Sequence, residues 1–525
     1  MVEYPTPRYR ESLYYGMVDK RHLRRSLARE QRLITRRLEK AVVVNTDGPL
    51  LGRANISYEY SERTKALSHG GMGMIARLVA CTGLAEEIDS ALSLLKIHHP
   101  YFESDHVLNV AYNALCGGRS LDEIEARRGD RVFLDGIGAQ SLPDPTTAGD
   151  FARRFSPDDV MALQEAANQA RLRVWAHQPP AFFAQRAVIE ADASIVATDG
   201  CTKEGMSIAY NGVWGYSALM VTLANTKEPL YFKLFGANRP SHEGSADLLD
   251  ASIALVREAG FSEVLLRGDT DYALTANFDR WDADGVRFCF GYDARPNLVE
   301  KAKDSDDEMY HRLVRRAERV VKTKPRRRPR KVKDDVVRER KYKVLRTAGE
   351  EVCEFTYRPG ACTKDYRVVA LRKDLSVERG EDVLFHEYRW FFYITNLPAT
   401  TSADGVVMEA RQRCDQENLI SQLKGQVRAL HAPLNTLVAN WAYMVMAALA
   451  WSLKAWCALL LPVSPRWRAL HQEQRRRLLT MEFATFRRAF IDIPCQIVTG
   501  GRQVRWRVLA WNPWLGAFFR LLDAI

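Results

Sequence analysis

The chain has 525 residues and a mass of 59.8 kDa, which predicts roughly two to four folding units rather than one core. Hydrophobic residues make up 46% and charged residues 27%, a composition that is typical of globular proteins and not of disordered, fibrous or membrane chains. The net charge of +11 comes from one segment, because residues 312–346 carry 17 Lys and Arg against 4 Asp and Glu.

The first part of the chain reads as a basic arm followed by helices. Residues 1–40 are Tyr-rich and then Arg-rich, with no apolar segment of the kind that a secretory signal needs. Such an arm either contacts phosphates or is a solvated helix face. Residues 71–178 show helical apolar spacing, and Ser156 followed by Pro157 and two acids predicts a helix start. A string of short helices suits a DNA-binding module, although helices of this kind also serve as simple packing.

The pattern changes at Ala187. Short apolar runs predict three strands, a helix over 245–259, a strand, a helix and a further strand, which together describe a mixed α/β layer. The basic run follows and is expected to be exposed. Two more strands come next, YRVVALRK and YRWFFYITNL. A long helical pattern then begins at Val407, and a hairpin is predicted around Gly500-Gly501.

The apolar segment from Trp441 to Val463 is the strongest candidate for a membrane span. Lys454 lies near its middle, and a charge at the centre of a bilayer is costly. We therefore expect a buried helix.

The nine cysteines are scattered and never form a CxxC pair. This spacing disfavours a zinc ribbon or a disulfide scaffold and predicts reduced thiols in a cytosolic protein. The sequence contains no HExxH, GxSxG or P-loop motif, so the corresponding zinc protease, hydrolase and nucleotide-binding functions are not indicated.

A set of acids stands where chemistry would need them. Asp192 lies inside the first predicted strand, Asp199 lies where that strand should end, and Asp269 closes the run EVLLRGD. Glu417 lies on the long helical pattern. Arg413 stands four residues before Glu417 and Lys424 seven residues after it, so one continuous helix would carry all three on one face. Taken singly, these acids would be turn residues or solvated side chains.

Together these residues resemble a DDE transposase of the insertion-sequence type, and within it the insertion-sequence-1380 family (transposase DDE domain group 1). The matching segments are Asp192-Ala193-Ser194 with Gly200 and Glu204, Asn211 to Leu219, Asn238 to Gly244, Arg267-Gly268-Asp269-Thr270, and Arg413-x-x-x-Glu417 with Lys424. The similarity covers roughly residues 60–525 and rests on combined order and spacing. The sequence departs from the family pattern at Ala410 (usually Tyr), Asp271 (usually Gly) and Ser194 (usually Thr).

The resemblance implies an α/β fold in which a ribonuclease H-like catalytic core is interrupted by a β-rich insert and preceded by a mostly helical DNA-binding region. The implied domains are a basic N-terminal arm (1–60), a helical DNA-binding region (61–180), the first part of the core (181–294), the β-rich insert with the basic run (295–405), the second part of the core with Glu417 (406–465) and a C-terminal region (466–525).

The implied activity is cleavage at terminal inverted repeats and transfer of 3′-OH ends to target DNA. Asp192, Asp269 and Glu417 would be both the catalytic acids and the ligands of two Mg²⁺ ions, with Mn²⁺ able to substitute. Arg413 and Lys424 would contact DNA phosphates, as would four arginines of the basic run, Arg326, Arg327, Arg328 and Arg330. The basic run could instead be a solubilising loop.

The implied partners are double-stranded DNA, both terminal repeats and target, and a second copy in a synaptic dimer. No membrane partner is implied, and the implied location is the bacterial cytoplasm.

The residues leave several alternatives open. Asp199 rather than Asp192 could be the first acid, since Val196 to Gly200 also resembles the first strand of ribonuclease H itself. Trp390 could stack on a flipped base or be a core residue. The chain could also be a metal-dependent nuclease of the same fold, or a non-catalytic DNA-binding protein.

Overall fold

The computed structural model describes residues 20–40, 64–98, 100–200, 202–313, 350–374, 388–500 and 503–525. The helices are α1 Lys20–Lys40, α2 Met72–Thr82, α3 Leu84–Ala91, α4 Glu103–Leu115, α5 Glu125–Arg128, α6 Arg131–Ile137, α7 Pro145–Ala152, α8 Pro157–Ala176, α9 Pro180–Phe183, α10 Ser245–Glu258, α11 Phe278–Ala283, α12 Pro296–Lys303, α13 Ala403–Arg411, α14 Cys414–Gly425, α15 Leu437–Leu459, α16 Arg468–Thr480, α17 Phe483–Phe486 and α18 Leu515–Leu522. The strands are β1 Ala66–Leu67, β2 Ala187–Ala197, β3 Ser207–Ile208, β4 Trp214–Leu223, β5 Glu228–Gly236, β6 Val264–Gly268, β7 Arg287–Tyr292, β8 His311–Arg312, β9 Glu350–Tyr357, β10 Tyr366–Asp374, β11 Tyr388–Thr395, β12 Cys495–Gly500 and β13 Gln503–Val508.

One mixed sheet organises the α/β part and confirms the predicted mixed α/β class. Its strand order is β3-β4-β2-β6-β7-β11-β10-β9-β8, and β5 also pairs with β4. β2, β6 and β7 run parallel to one another, whereas the other pairings are antiparallel. Interior strands such as β4 are apolar on both faces, as burial on both sides requires. The strands between residues 295 and 405 continue this same sheet, because β11 pairs with β7.

The helices before the sheet pack around α15. This helix contacts α4, α8, α16 and β5 and is buried along almost its whole length. By length and composition it is the one helix of the described residues that could cross a membrane, but its apolar window is 100% buried inside the protein. The expected buried helix is therefore confirmed. The predicted start of α8 is also confirmed, because the Ser156 hydroxyl caps the helix in front of Pro157.

A buried carboxylate joins this helical layer to the sheet. Glu228 on β5 accepts hydrogen bonds from Arg171 Nε at 2.9 Å, Trp175 Nε1 at 3.1 Å and Trp456 Nε1 at 2.8 Å. All four side chains are buried away from water, so their polar groups must form hydrogen bonds and ion pairs with one another. The contact therefore fixes α8 and α15 against β5.

An early strand and a late hairpin form a second, three-stranded sheet. β12 and β13 form the predicted antiparallel hairpin, with Gly500 opposite Gln503, and β1 pairs with the other edge of β12. Gly501, on which part of that prediction fell, lies outside the described residues.

The long helix that the sequence predicts from Val407 is in fact two helices, and that part of the prediction is wrong. α13 ends at Arg411 and α14 begins at Cys414, with Arg413 as its N-cap residue. The break has a long-range cause, a contact from β6. The Glu409 carbonyl accepts hydrogen bonds from Gln412 N at 3.2 Å and from Arg267 Nη1 at 2.9 Å, so the regular bond to residue 413 is replaced.

Lys454 should make the stability of the protein depend on pH. Its amine is buried in α15 and donates to the Leu479 carbonyl at 2.9 Å, and burial lowers its pKa from the usual 10.5 to about 7. The unfolded chain therefore binds the proton more strongly between these pH values, so stability rises as the pH rises. Between about pH 7.5 and pH 9 we expect a gain of about 2 kcal/mol from this group.

The measurement is the urea midpoint of the wild type and of Lys454→Met at both pH values. The variant shows how stability changes with pH through all other groups. The difference between the pH responses of the two proteins is therefore the contribution of Lys454. An identical pH response in both proteins would contradict the prediction.

Candidate active site

Asp192 and Asp269 lie side by side on the sheet. β2 and β6 are parallel neighbours in which Glu190 is in register with Arg267. Because side chains two residues apart point to the same face of a strand, Asp192 and Asp269 follow this pair on the same face. Asp269 directly follows the carboxyl end of β6, and Asp192 lies two residues past the last residue of β2 that pairs with β6. The carboxyl end of a parallel pair is where open α/β sheets bind their ligands.

One guanidinium spans the two carboxylates. Arg413 Nη2 lies 3.2 Å from Asp192 Oδ2 and 3.7 Å from Asp269 Oδ2. Burial raises the pKa of Asp192 to about 6, an effect that Arg413 opposes and Asp269 reinforces. Burial also raises the pKa of Asp269, again against Arg413. The two acids therefore share a partly buried position in which their negative charge needs a cation.

A second arginine lies next to this pair on the same face. Arg267 donates to Glu190 Oε1 from Nε at 2.8 Å and from Nη2 at 2.6 Å, and its Nη1 reaches the Glu409 carboxylate at 2.9 Å. Burial raises the pKa of Glu190, and Arg267 opposes that rise. Arg267 thereby joins β2, β6 and α13 in one buried contact.

Glu190 and Glu409 have no role among the residues predicted from the sequence. A signal was present, because Glu190 interrupts an apolar strand two residues before Asp192, and Arg267 stands two residues before Asp269. Charged residues at such spacing on two neighbouring strands indicate a buried ion pair next to a site.

Glu417 lies on α14, one turn after Arg413, and is exposed. No described residue forms a hydrogen bond or ion pair with its carboxylate. Within the described ranges no three His, Cys, Asp or Glu side chains converge closely enough to hold a metal ion. The structure therefore brings Asp192 and Asp269 together but does not bring Glu417 into a three-carboxylate cluster with them.

Lys424 fastens α14 to the central strand. Its Nζ donates to the Ile195 carbonyl at 2.8 Å, and burial lowers its pKa. Asp199 is exposed and lies two residues beyond the end of β2. About 16 Å of extended strand separates Asp192 from that end of β2. Of the two candidates for the first acid, Asp192 is therefore the one that lies beside Asp269.

The loop over residues 238–244 packs against the turn that follows Asp269. Ser241 Oγ hydrogen-bonds the Asp271 carboxylate, and Tyr272 OH donates to the Ser241 carbonyl at 3.2 Å. Gly291 on β7 is also required here, because a Cβ at that position would lie 3.0 Å from Thr270 N. Two segments far apart in sequence thus hold the backbone of the Asp269 turn.

The other predicted site residues lie elsewhere. Ala410, at the family's tyrosine position, is buried where α13 packs on the sheet. Trp390 on β11 is half-buried and stacks on Phe392 with ring centroids 6.5 Å apart, as a core strand residue would. The four predicted phosphate-binding arginines, Arg326, Arg327, Arg328 and Arg330, lie outside the described residues and stay a prediction.

The donor set fits a hard divalent cation. Asp192 and Asp269 already converge on a single positively charged atom, Arg413 Nη2, so their oxygens lie within reach of one cation. Carboxylate oxygens are the ligands that Mg²⁺ prefers. These two residues are therefore the part of the site that could hold a metal, with Glu417 available one turn further along α14.

Comparison with known proteins gives a family and a remote structural likeness. The family model described as transposase DDE domain group 1 matches residues 61–525. The chain is also similar to a cryo-EM structure of the piggyBac transposase synaptic complex with hairpin DNA, at 9% identity and a TM-score of 0.34, over 80% of this chain and 81% of that one. No curated protein matches the sequence.

The match over residues 61–525 places the chain in the DDE transposases: it belongs to transposase DDE domain group 1.

Removing Arg267 should destabilise the protein strongly. In Arg267→Met the Glu190 carboxylate, on a residue only 1% exposed, loses its cation, and breaking a buried pair in this way costs about 3–5 kcal/mol. The double variant Glu190→Gln/Arg267→Met removes both charges and should recover a large part of that loss. Denaturant midpoints of the wild type, both single variants and the double variant form a double-mutant cycle. Additive effects would mean that the pair is not coupled.

Proposed function

We propose that this protein is an active DNA transposase that binds the terminal inverted repeats of an insertion sequence, cleaves phosphodiester bonds and transfers the 3′-OH ends to target DNA. The catalytic acids are Asp192, Asp269 and Glu417. The observation that carries the proposal is the pairing of Asp192 with Asp269 around one cationic group, in a chain of the DDE transposase family.

The order of the sheet supports a ribonuclease H-like core. Strands β5, β4 and β2 are consecutive antiparallel neighbours, and β6 and β7 continue the sheet parallel to β2. In this reading the strands β8 to β11 are the insert, and α14 belongs to the second part of the core. Membership of the insertion-sequence-1380 family is part of the same proposal.

A phosphodiester is anionic and resists attack, so its charge must be neutralised and the attacking oxygen activated. Two Mg²⁺ ions would supply both functions when bound, and Mn²⁺ should replace them. Asp192, Asp269 and Glu417 would hold the ions through carboxylate oxygens. Arg413 and Lys424 would hold phosphate oxygens beside them, and the basic run over residues 312–346 would contact the DNA backbone. Two copies, each with one element end, would form the synaptic complex.

The proposal is tested on labelled duplex DNA that carries the repeats flanking the gene, with Mg²⁺ or Mn²⁺. We expect cleavage at the repeat ends and joining of these ends to a second duplex. Asp192→Asn, Asp269→Asn and Glu417→Gln should each reduce the rates of both reactions by roughly a thousandfold or more. The reason is that removing one member of a catalytic unit removes most of the activity of the whole unit.

The matched control is Asp199→Asn, which changes a neighbouring exposed acid in the same way and should keep the activity of the wild type. Loss of activity in Asp199→Asn with retention in Asp192→Asn would move the first acid to Asp199. End-specific cutting without joining would indicate a nuclease. Binding without any metal-dependent cutting would indicate a non-catalytic DNA-binding protein.

A further inference from the structure

Arg413 makes few of the hydrogen bonds that its side chain can make. A guanidinium has five N–H donors. In the described part of the chain one of them, on Nη2, hydrogen-bonds Asp192 at 3.2 Å, and the same nitrogen lies 3.7 Å from Asp269. Its Nε is buried and finds no partner among these residues. The Nε atoms of Arg127 and Arg428 are in the same condition, so the distinguishing feature of Arg413 is that its one hydrogen-bonded nitrogen lies between two carboxylates.

The neighbouring Arg267 shows what a permanent structural arginine looks like on the same face. All three of its nitrogens donate, to Glu190 and to Glu409, and the side chain is only 4% exposed. The Arg413 side chain is 17% exposed and makes far fewer hydrogen bonds to the protein. The two arginines therefore differ in how firmly the protein holds them.

The backbone allows Arg413 to move. The residue is the N-cap of α14 and follows the break after α13, so its own N–H does not take part in a continuous helix. A change in its side-chain position therefore needs no regular helical hydrogen bond to break.

Charge neutralisation favours such a change. Asp192 and Asp269 come from different strands and together carry two negative charges when ionised, against one positive charge on Arg413. A divalent cation at the same place would neutralise both carboxylates and leave no electrostatic reason for Arg413 to stay.

We propose that Arg413 is the internal counter-cation of the metal-free site, and that it leaves Asp192 and Asp269 when a divalent cation binds there and then donates to a phosphate of the DNA. This inference rests on the proposed function, since it requires Asp192 and Asp269 to be metal ligands. Arg413 would thereby link metal binding to DNA binding. The link must be reciprocal, so that each ligand strengthens the binding of the other by the same factor.

The first experiment measures Mn²⁺ binding to the DNA-free protein by the electron paramagnetic resonance signal of free Mn²⁺. Arg413→Gln removes the competing cation and should bind Mn²⁺ about tenfold more tightly than the wild type, within the usual range of such couplings. Arg413→Lys keeps the positive charge but loses the planar fork of donors. Its affinity for Mn²⁺ should therefore lie between those of the wild type and Arg413→Gln. The control is Arg476→Gln, which removes the charge of an exposed arginine on α16 and should bind Mn²⁺ as the wild type does.

The second experiment measures the affinity for a duplex end with and without Ca²⁺, a divalent cation used here to support binding without cutting. The wild type should bind DNA more tightly when Ca²⁺ is present. In Arg413→Gln this enhancement should be lost even though the cation still binds.

Equal or weaker Mn²⁺ binding by Arg413→Gln would overturn the inference, as would a full Ca²⁺ enhancement of DNA binding in that variant. Asp192→Asn separates this outcome from failure of the proposed function. If Asp192→Asn abolishes Mn²⁺ binding while Arg413→Gln leaves it unchanged, the metal site stands and only the role of Arg413 is wrong. If neither the wild type nor Arg413→Gln binds Mn²⁺, both proposals fail. If Arg413→Gln does not fold, Arg413→Lys decides by the same comparison.

Discussion

The site depends on one buried arginine. Arg267 on β6 binds Glu190 on β2 and both the carboxylate and the carbonyl of Glu409 on α13. A buried charge is tolerated only when it is paired and hydrogen-bonded, so this contact fixes the lateral position of two strands and one helix together. Asp192 follows Glu190 by two residues, and Asp269 follows Arg267 by two residues. The contact between Glu190 and Arg267 therefore also sets the distance between the two acids. The same arginine ends α13 and so places Arg413 over the two acids.

The strands of the segment 295–405 contribute to the site through α13. This helix packs on β7, β9, β10 and β11, and Arg411 at its end pairs with Glu350 on β9 at 2.8 Å. The helix that precedes Arg413 therefore packs partly on these added strands and partly on the central ones. A segment that reads in sequence as an interruption is, in the structure, an extension of the sheet that supports the site.

Much of this could be predicted from local pattern. The strand runs after Ala187, the cap at Ser156 and the C-terminal hairpin all follow from spacing and from residue types whose preferences are local. The family resemblance selected Asp192 and Asp269 by order and spacing. The break after α13 could not be predicted, because residues 407–429 have an uninterrupted helical pattern and the cause is a side chain more than a hundred residues away.

The sequence by itself determined the family and most of the element types, and it predicted the acids, because these depend on residue order and on short-range periodicity. Only the tertiary structure decided which acids meet, which cation lies between them and how the added strands join the sheet. These properties depend on contacts between residues such as Asp192 and Arg413, which lie 221 positions apart. A long-range contact of this kind forms only when the buried charges of several elements are satisfied at once, and no local pattern encodes that condition.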